Sequence, residues 1–354
     1  MPTIVFYISG HGFGHASRSI EVVNALLAKR EDLRIVVRSN APRWLFDRTV
    51  RATKEGAVQH HPLEVDTGIV QIDSLHLDEV ATIRSAREFM ESFEERIDRE
   101  LQLLKAEKAD LVVADVPPLG IAAGAAAGLP AIALGNFTWD WIYSAYPETK
   151  DLVATIGHAY NQATAALRLP MHGGFATFSH IADVPFVARR SFQDPARTRT
   201  TMGWALDRRL VLVSFGGFGL RRLDEAALGR LEGYVVLLSG ANFDERAMYA
   251  AGLRYEDIVR AVDVVVSKPG YGIIAECLAN DTALLYTSRG RFLEYDVLTA
   301  AMPRFLRAAY IDHDDLFAGR WDAHLDRLWA QPPPAERPAV DGAEVAATRL
   351  LDMI

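Results

Sequence analysis

Cysteine is nearly absent: Cys277 is the only one in 354 residues. No intramolecular disulfide can form, and a metal cluster built on thiolates is excluded. Long apolar runs are absent too. The run Ile4–Ile8 has no basic segment before it and reads as a strand, not as a signal peptide. No stretch approaches the roughly 18 apolar residues of a membrane span. Positive charge is in short supply, with 38 Lys and Arg against 46 Asp and Glu and a net charge of −8. A surface that follows nucleic-acid phosphates needs a basic excess, so nucleic acid is not an expected partner. The expectation is a cytoplasmic protein whose ligands are small molecules; nothing in the composition speaks to its oligomeric state.

Half of the residues are hydrophobic and 24% are charged, an ordinary globular balance. The length suggests two domains. Apolar runs of strand length alternate with helical patterns, the signature of parallel sheets with crossover helices. Ile4–Ile8, Ile35–Arg38, Leu111–Ala114 and Ala131–Leu134 read as strands of a first series. Ser17–Arg30 is a helix with Ile20, Val23 and Leu27 on one face, and one long polar helix is expected over about Ala81–Lys105. The pattern restarts at Leu210–Val213, followed by Val235–Ser239, Val262–Ser267 and Ala283–Tyr286. Pro185–Asp207, with four arginines, reads as the linker. The stretch 331–338 (QPPPAERP) breaks the chain before a last helix near Gly342–Asp352. The expected α/β organisation is a Rossmann-like domain over 1–188, a second one over 189–340, and a terminal helix over 341–354 that packs back on the first.

Glycine loops follow the strands where such folds hold ligands. Gly10, Gly12 and Gly14 in SGHGFGHASRS let the backbone turn sharply and come close to a ligand, and the helix start behind them offers free N–H groups. The spacing is G-x-G-x-G, not G-x-G-x-x-G, and the second strand ends Arg38–Ser39–Asn40 with no acid. Both features disfavour a dinucleotide dehydrogenase. His11 and His15 stand where the strand's carboxyl end opens, and a histidine there can take a proton from a hydroxyl near neutral pH; the plainer alternative is packing or capping of the turn. Asp115 ends LVVAD at the same edge. It either orients His15 as a carboxylate partner or caps the helix after Pro117–Pro118.

In the later half, Gly216, Gly217 and Gly219 of SFGGFG are a candidate nest for phosphate. In SKPGYGIIAE, Gly270 and Gly272 precede a helix start suited to a diphosphate, Lys268 supplies a point charge, and Glu276 can accept from ribose hydroxyls; a first-turn surface acid is the alternative. Arg289 and Arg291 face either the diphosphate or solvent. The stretch 136–146 (NFTWDWIYSAY) is rich in aromatics, suited to stacking on an acceptor or to core packing; Asn136, Trp139 and Asp140 are its candidate acceptor contacts, with Gly12 and Gly14. Asp73 and Asp78 flank a histidine but fit no standard metal scheme.

These stretches also carry a resemblance. YEDIVRAVDVVVSKPGYGIIAE resembles the donor domain of the peptidoglycan N-acetylglucosaminyltransferase family. SGHGFGHASRSIEVV, VVADVPPLGIAAGAAAGLPAIALGNFTWDWIY, SKPGYGIIAECLA and the later FLEYDVL resemble the glycosyltransferase-like N-terminal regions of the L-arabinokinase family. The resemblance implies a GT-B fold, two Rossmann-like parallel-sheet domains facing across a cleft, with the acceptor domain first and the donor domain second. It implies no metal and no cofactor beyond a nucleotide-diphosphate sugar as donor. It matches His15 to the histidine closing the N-terminal glycine loop and Glu276 to the ribose-binding glutamate. Tyr255 falls near the base, and Glu294 and Tyr295 near the donor sugar, where the family's paired glutamines are absent. The expected activity is a metal-independent, inverting glycosyl transfer to a small acceptor. An epimerase or phosphorolytic enzyme of the same fold and a non-catalytic nucleotide-sugar-binding protein are the alternatives.

Overall fold

The computed structural model describes residues 1–52, 54–216, 220, 223–290 and 292–354. Strands β1 (Thr3–Ile8), β2 (Arg34–Arg38), β3 (Val58–His61), β4 (Leu111–Asp115), β5 (Ala131–Gly135), β6 (Ala165–Arg168) and β7 (Ile181–Asp183) form one sheet in the order β3-β2-β1-β4-β5-β6-β7. Strands β8 (Arg209–Val213), β9 (Tyr234–Leu237), β10 (Val264–Ser267), β11 (Ala283–Tyr286) and β12 (Ala308–Tyr310) form a second, in the order β12-β11-β10-β8-β9. Every pairing between these strands is parallel. The central strands β1, β4, β5 and β10 are buried along their whole length, which is why they read as unbroken apolar runs. Helix Pro118–Ala126 lies very close to its sheet: a Cβ on Gly120 would meet the Tyr7 ring at 2.7 Å, and one on Gly124 the Ala131 side chain at 2.9 Å. The two glycines one turn apart make that approach possible.

Each sheet reverses its strand order once, between β1 and β4 and between β8 and β10. Such switch points leave a crevice outside the carboxyl ends of the strands. In the first sheet Ile8 pairs with Asp115, so the glycine loop after β1 and the carboxylate ending β4 share one crevice. In the second, Val213 pairs with Val266, which brings Ser214–Gly216 beside Ser267–Gly272.

Three sequence expectations change. The long helix near 81–105 is two helices, Glu79–Glu91 and Phe93–Ala106. The break at Ser92, whose hydroxyl donates to the Phe89 carbonyl (3.2 Å), lets Phe89 and Phe93 both turn inward onto Leu119 and Ala122. The linker carries a helix, Pro195–Thr201, capped by Asp194 and held by Arg199 on the Ala261 carbonyl (2.7 Å) and Asp263 (2.8 Å). Strands β3, β6, β7 and β12 are additional; each is short, β3 and β7 contain no buried residue and β6 and β12 two each, so their apolar signal is weak.

The chain crosses between the halves twice at nearly one point. Val187 and Asp341 form a bridge, and Gly342 starts the last helix so close to the first crossing that a Cβ there would fall 2.1 Å from the Pro185 carbonyl oxygen. That helix, Gly342–Leu351, buries Ala343, Ala346, Ala347 and Leu350 and packs on helix Phe13–Lys29 of the first half.

Candidate active site

Between the two sheets lies a cleft of about 1450 Å³, lined by both halves. A drug-sized ligand occupies a site of roughly 300–1,000 Å³, so there is room for two small molecules together. Gly12, with φ of 75°, turns the chain from β1 into helix Phe13–Lys29, and His15 sits in the first turn facing Asp115. The histidine Nδ1 is 2.8 Å from Asp115 Oδ1. A carboxylate accepts only, so with Asp115 as partner Nδ1 carries the proton and Nε2 is left as the acceptor. Arg18 Nη2 also lies 3.0 Å from Nδ1, but its proton goes to the Asp115 oxygen they share, and among the described residues Nε2 has no protein partner. Asp115 also accepts from Arg18 Nε (2.7 Å) and Ser19 Oγ (2.7 Å) on its other oxygen, and from a second Arg18 nitrogen. Burial pushes the Asp115 carboxyl up, but the Arg18 charge and hydrogen bonds, with His15, outweigh it and hold it at about 2. Asp115 is therefore a fixed anion that keeps the His15 ring in one tautomer.

Arg18 extends this cluster across the cleft. Its second terminal nitrogen donates to Asn136 Oδ1 (2.7 Å), and Asn136 Nδ2 donates to Glu294 Oε1 (2.7 Å) of the other half. Gly14 and Gly272, at the starts of two helices from opposite halves, also meet here: a Cβ on Gly272 would be 3.6 Å from the Gly14 Cα. His11 lies beside them with the Ile69 N–H 3.3 Å from Nδ1 and the Gln71 amide nitrogen 3.3 Å from Nε2. Burial, with the nearby His15, Arg289 and Lys268, lowers it to about 3. It is a neutral ring that shapes the loop, and a poorer proton acceptor than an ordinary histidine.

The other wall is cationic. Lys268 and Arg289 line the cleft, and among the described residues neither has a carboxylate within ion-pair distance. Lys268 donates to Gln71 Oε1 (3.4 Å), and Arg289 lies over the Phe292 ring. Burial, then the neighbouring Arg289, brings Lys268 down to about 8. Gly216, with φ of 72°, and the start of helix Tyr271–Ala279 at Gly270 and Gly272 face the same space. Tyr255 lines it further along, its hydroxyl 2.5 Å from Ser214 Oγ. Glu276 is 6% exposed, so it is not a surface acid; it accepts from Arg189 Nε (2.6 Å), an arginine of the linker. Loop 71–77 of the first half closes this end: Gln71 pairs with Leu77, and Leu75 is buried in the apolar core of the second half beside Phe215.

Of the proposed residues, His11, Gly12, Gly14 and His15 line the cleft from the first half, and Gly216, Tyr255, Lys268, Gly270, Gly272, Glu276 and Glu294 from the second. Gly217, Gly219 and Arg291 lie outside the described residues. Asn136, Trp139 and Asp140 do not line the cleft as acceptor contacts would. They are buried behind its wall: Asn136 between Arg18 and Glu294, Trp139 with its indole N–H on Asp66 (2.9 Å), and Asp140 against helix Lys150–Tyr160. Core packing wins there because β5 runs straight into the turn that carries them. Asp115 caps no helix; the next begins at Pro118 after Pro117. Asp78 caps helix Glu79–Glu91, and Asp73 pairs with His76 in a turn. Arg18, Asp66 and Arg189 are site residues that the sequence reading did not single out. Arg18 had a signal, a cation on the inner face of an apolar helix three residues from His15.

Two parallel-sheet domains joined at switch-point crevices, with a buried His–Asp pair on one wall and glycine loops and cations on the other, define the GT-B class. Comparison agrees. Residues 2–170 match the family model described as glycosyl transferase family 1. The L-arabinokinase of Arabidopsis thaliana is 30% identical over 357 residues, covering 97% of this chain and 33% of that protein; the chain thus spans about a third of the relative's length. Among solved structures, the glycotransferase of kitacinnamycin superposes with a TM-score of 0.65 at 16% identity, over 100% of this chain and 99% of that one. Arabidopsis thaliana UGT89C1, complexed with UDP, gives 0.60 at 12% identity, over 99% and 93%. The chain has the GT-B fold, and its residues 2–170 are similar to glycosyl transferase family 1.

Proposed function

We propose that this protein transfers a glycosyl group from a nucleoside-diphosphate sugar to a hydroxyl of a small acceptor, without a metal and with inversion. The observation that carries the reading is the His15–Asp115 pair, buried at its back and open at Nε2 to a cleft whose opposite wall holds unpaired cations. Nε2 accepts the proton of the attacking hydroxyl, and the imidazolium that forms is stabilised by Asp115. The diphosphate lies at Lys268 and the helix start at Gly270–Gly272, with Arg289 beside it. There the leaving-group charge meets fixed positive charge and backbone dipoles that need no reorganisation. Glu276, oriented by Arg189, accepts from the ribose, Tyr255 borders the base, and Glu294 reads the sugar. One displacement by a base-activated hydroxyl inverts the anomeric centre. The solved relative bound to UDP supports UDP as the first nucleotide to try.

The test is calorimetric titration with UDP, followed by UDP release from UDP-sugars with and without hydroxyl acceptors. Saturable binding and acceptor-dependent release are expected, with an inverted anomer in the product. Release that is equally fast without acceptor assigns the chemistry to an epimerase or phosphorolytic class. Binding with no release at all reduces the protein to a sensor.

A further inference from the structure

Beside His15 the cleft holds a second carboxylate, Asp66, on the loop after β3. It lines the cleft, yet each of its oxygens is fixed from behind. Ser9 Oγ donates to Oδ1 (2.9 Å) and the Trp139 indole N–H donates to Oδ2 (2.9 Å). A carboxylate has about four lone-pair sites, so each oxygen keeps one for a further donor. Trp139 is packed edge-on against Phe137 (5.1 Å), and Phe137 edge-on against His15 (5.5 Å), so a single ring separates the indole that holds Asp66 from the proposed base. Gly68, with φ of 60°, presses the same loop onto His11: a Cβ there would meet the His11 Cβ at 2.6 Å and its ring at 2.8 Å. The carboxylate is thus built into the loop system that carries His15, with no Lys or Arg ion-paired to it among the described residues.

Burial holds the Asp66 carboxyl up at about 6, against the pull of His15, Ser9 and Trp139. A purely structural acceptor for Ser9 and Trp139 needs no charge; an amide would serve as well and cost less to bury. The charge gains a use only when something in the cleft donates to it.

Resting on the glycosyl-transfer reading above, we infer that Asp66 is an acceptor-positioning residue, and that the acceptor is a polyhydroxy compound carrying a hydroxyl adjacent to the one His15 deprotonates. Asp66 accepts from that neighbouring hydroxyl and fixes the rotation of the reacting one toward the donor. The acceptor class is a sugar, cyclitol or catechol-like diol and not a simple alcohol.

Matched pairs test this: methyl glycosides against their monodeoxy analogues, and catechol against phenol, each with UDP-glucose and the other UDP-sugars. The diol member is expected to be favoured roughly ten- to a hundredfold in kcat/KM, the size of one hydrogen bond to a charged group. In Asp66→Asn this preference collapses toward one, with the loss falling mainly on the diol's KM. The second readout is thermal stability. Asn keeps one acceptor for Trp139, and the Ser9 hydroxyl can rotate to accept from its amide, so the melting temperature at pH 8 should rise. A fall in melting temperature makes Asp66 a fold residue and overturns the inference, as does an unchanged preference in the variant. Transfer to neither member of any pair, with UDP binding intact, also overturns it. Failure to bind UDP removes the donor reading beneath it.

Discussion

The two walls of the cleft treat charge in opposite ways. On the first-half wall the two carboxylates near His15 are tied down: the buried Asp115 by His15, Arg18 and Ser19, the half-buried Asp66 by Ser9 and Trp139. On the second-half wall the half-buried Lys268 and the buried Arg289 have no carboxylate within ion-pair distance among the described residues. A locked anion behind a histidine sets the direction of a proton transfer before any ligand arrives. An unpaired, desolvated cation is costly alone and is relieved when an anionic ligand supplies the missing charge. In the proposed transfer one wall is prepared for chemistry and the other for capture, and the division can be broken experimentally.

The largest effect is expected at the prepared wall. His15→Ala should cut turnover of a UDP-sugar by roughly 10²–10⁴, the usual worth of a positioned base, while UDP affinity measured by calorimetry stays within about twofold. Equal loss of both would place His15 in the fold and erase the contrast. Arg18→Ala strands a buried Asp115 without its main counter-charge. Breaking a buried pair costs on the order of 3–5 kcal/mol, read as a lower midpoint in urea unfolding, and a change under 1 kcal/mol would show that the cluster is open to water. At the capture wall, Lys268→Ala should weaken UDP roughly ten- to a hundredfold and barely move the unfolding midpoint. A large loss of stability instead would mean that Lys268 holds the two halves together through Gln71.

The smallest effect is a pH dependence, and it sharpens the same contrast. Free Lys268 titrates at about 8, and a bound diphosphate raises that value because it favours the ammonium. UDP affinity should therefore be flat below pH 8 and fall above it by up to about tenfold per unit, as binding must take up a proton. Lys268→Arg should flatten the profile, since a guanidinium does not titrate in that range. For Asp66 the sign is reversed with respect to stability. Its folded value, about 6, lies above the ordinary 3.8, so its contribution is most favourable below pH 4 and is lost as pH rises through 6. The gain in melting temperature of Asp66→Asn should accordingly fade on going from pH 8 to pH 4.

How much of this was legible follows from what each residue's signal depends on. The strand–glycine–helix series was readable because β1, β4, β5 and β10 are buried on both faces and carry the apolar runs that burial demands. The meeting of His15 and Asp115 was readable because both end adjacent strands or their loops at a switch point, a rule of topology and not of side chains. Asp66 was not readable. It sits in an aperiodic loop, and its partners Ser9 and Trp139 are 57 and 73 residues away in sequence. The aromatic stretch misled for a related reason: composition gives Trp139 a stacking surface, but only the path of β5 decides that the ring turns into the core. The Ser92 break was hidden because the polar face of the two helices continues through it, and the inward turn of Phe89 and Phe93 is a tertiary effect. Arg189 reaches Glu276 from a linker whose sequence has no period at all.

The bridge between Val187 and Asp341 has a mechanical meaning. The whole second half hangs as an insert whose two leashes leave the first half at one place, so the natural motion that opens or closes the cleft is a rotation about that place. The segment beyond the second leash then lies along the helix that carries His15. A protein shortened by that last helix would bare the back of the helix that carries His15, so a cut at the far end of the chain would be felt first at His15, not at the cationic wall.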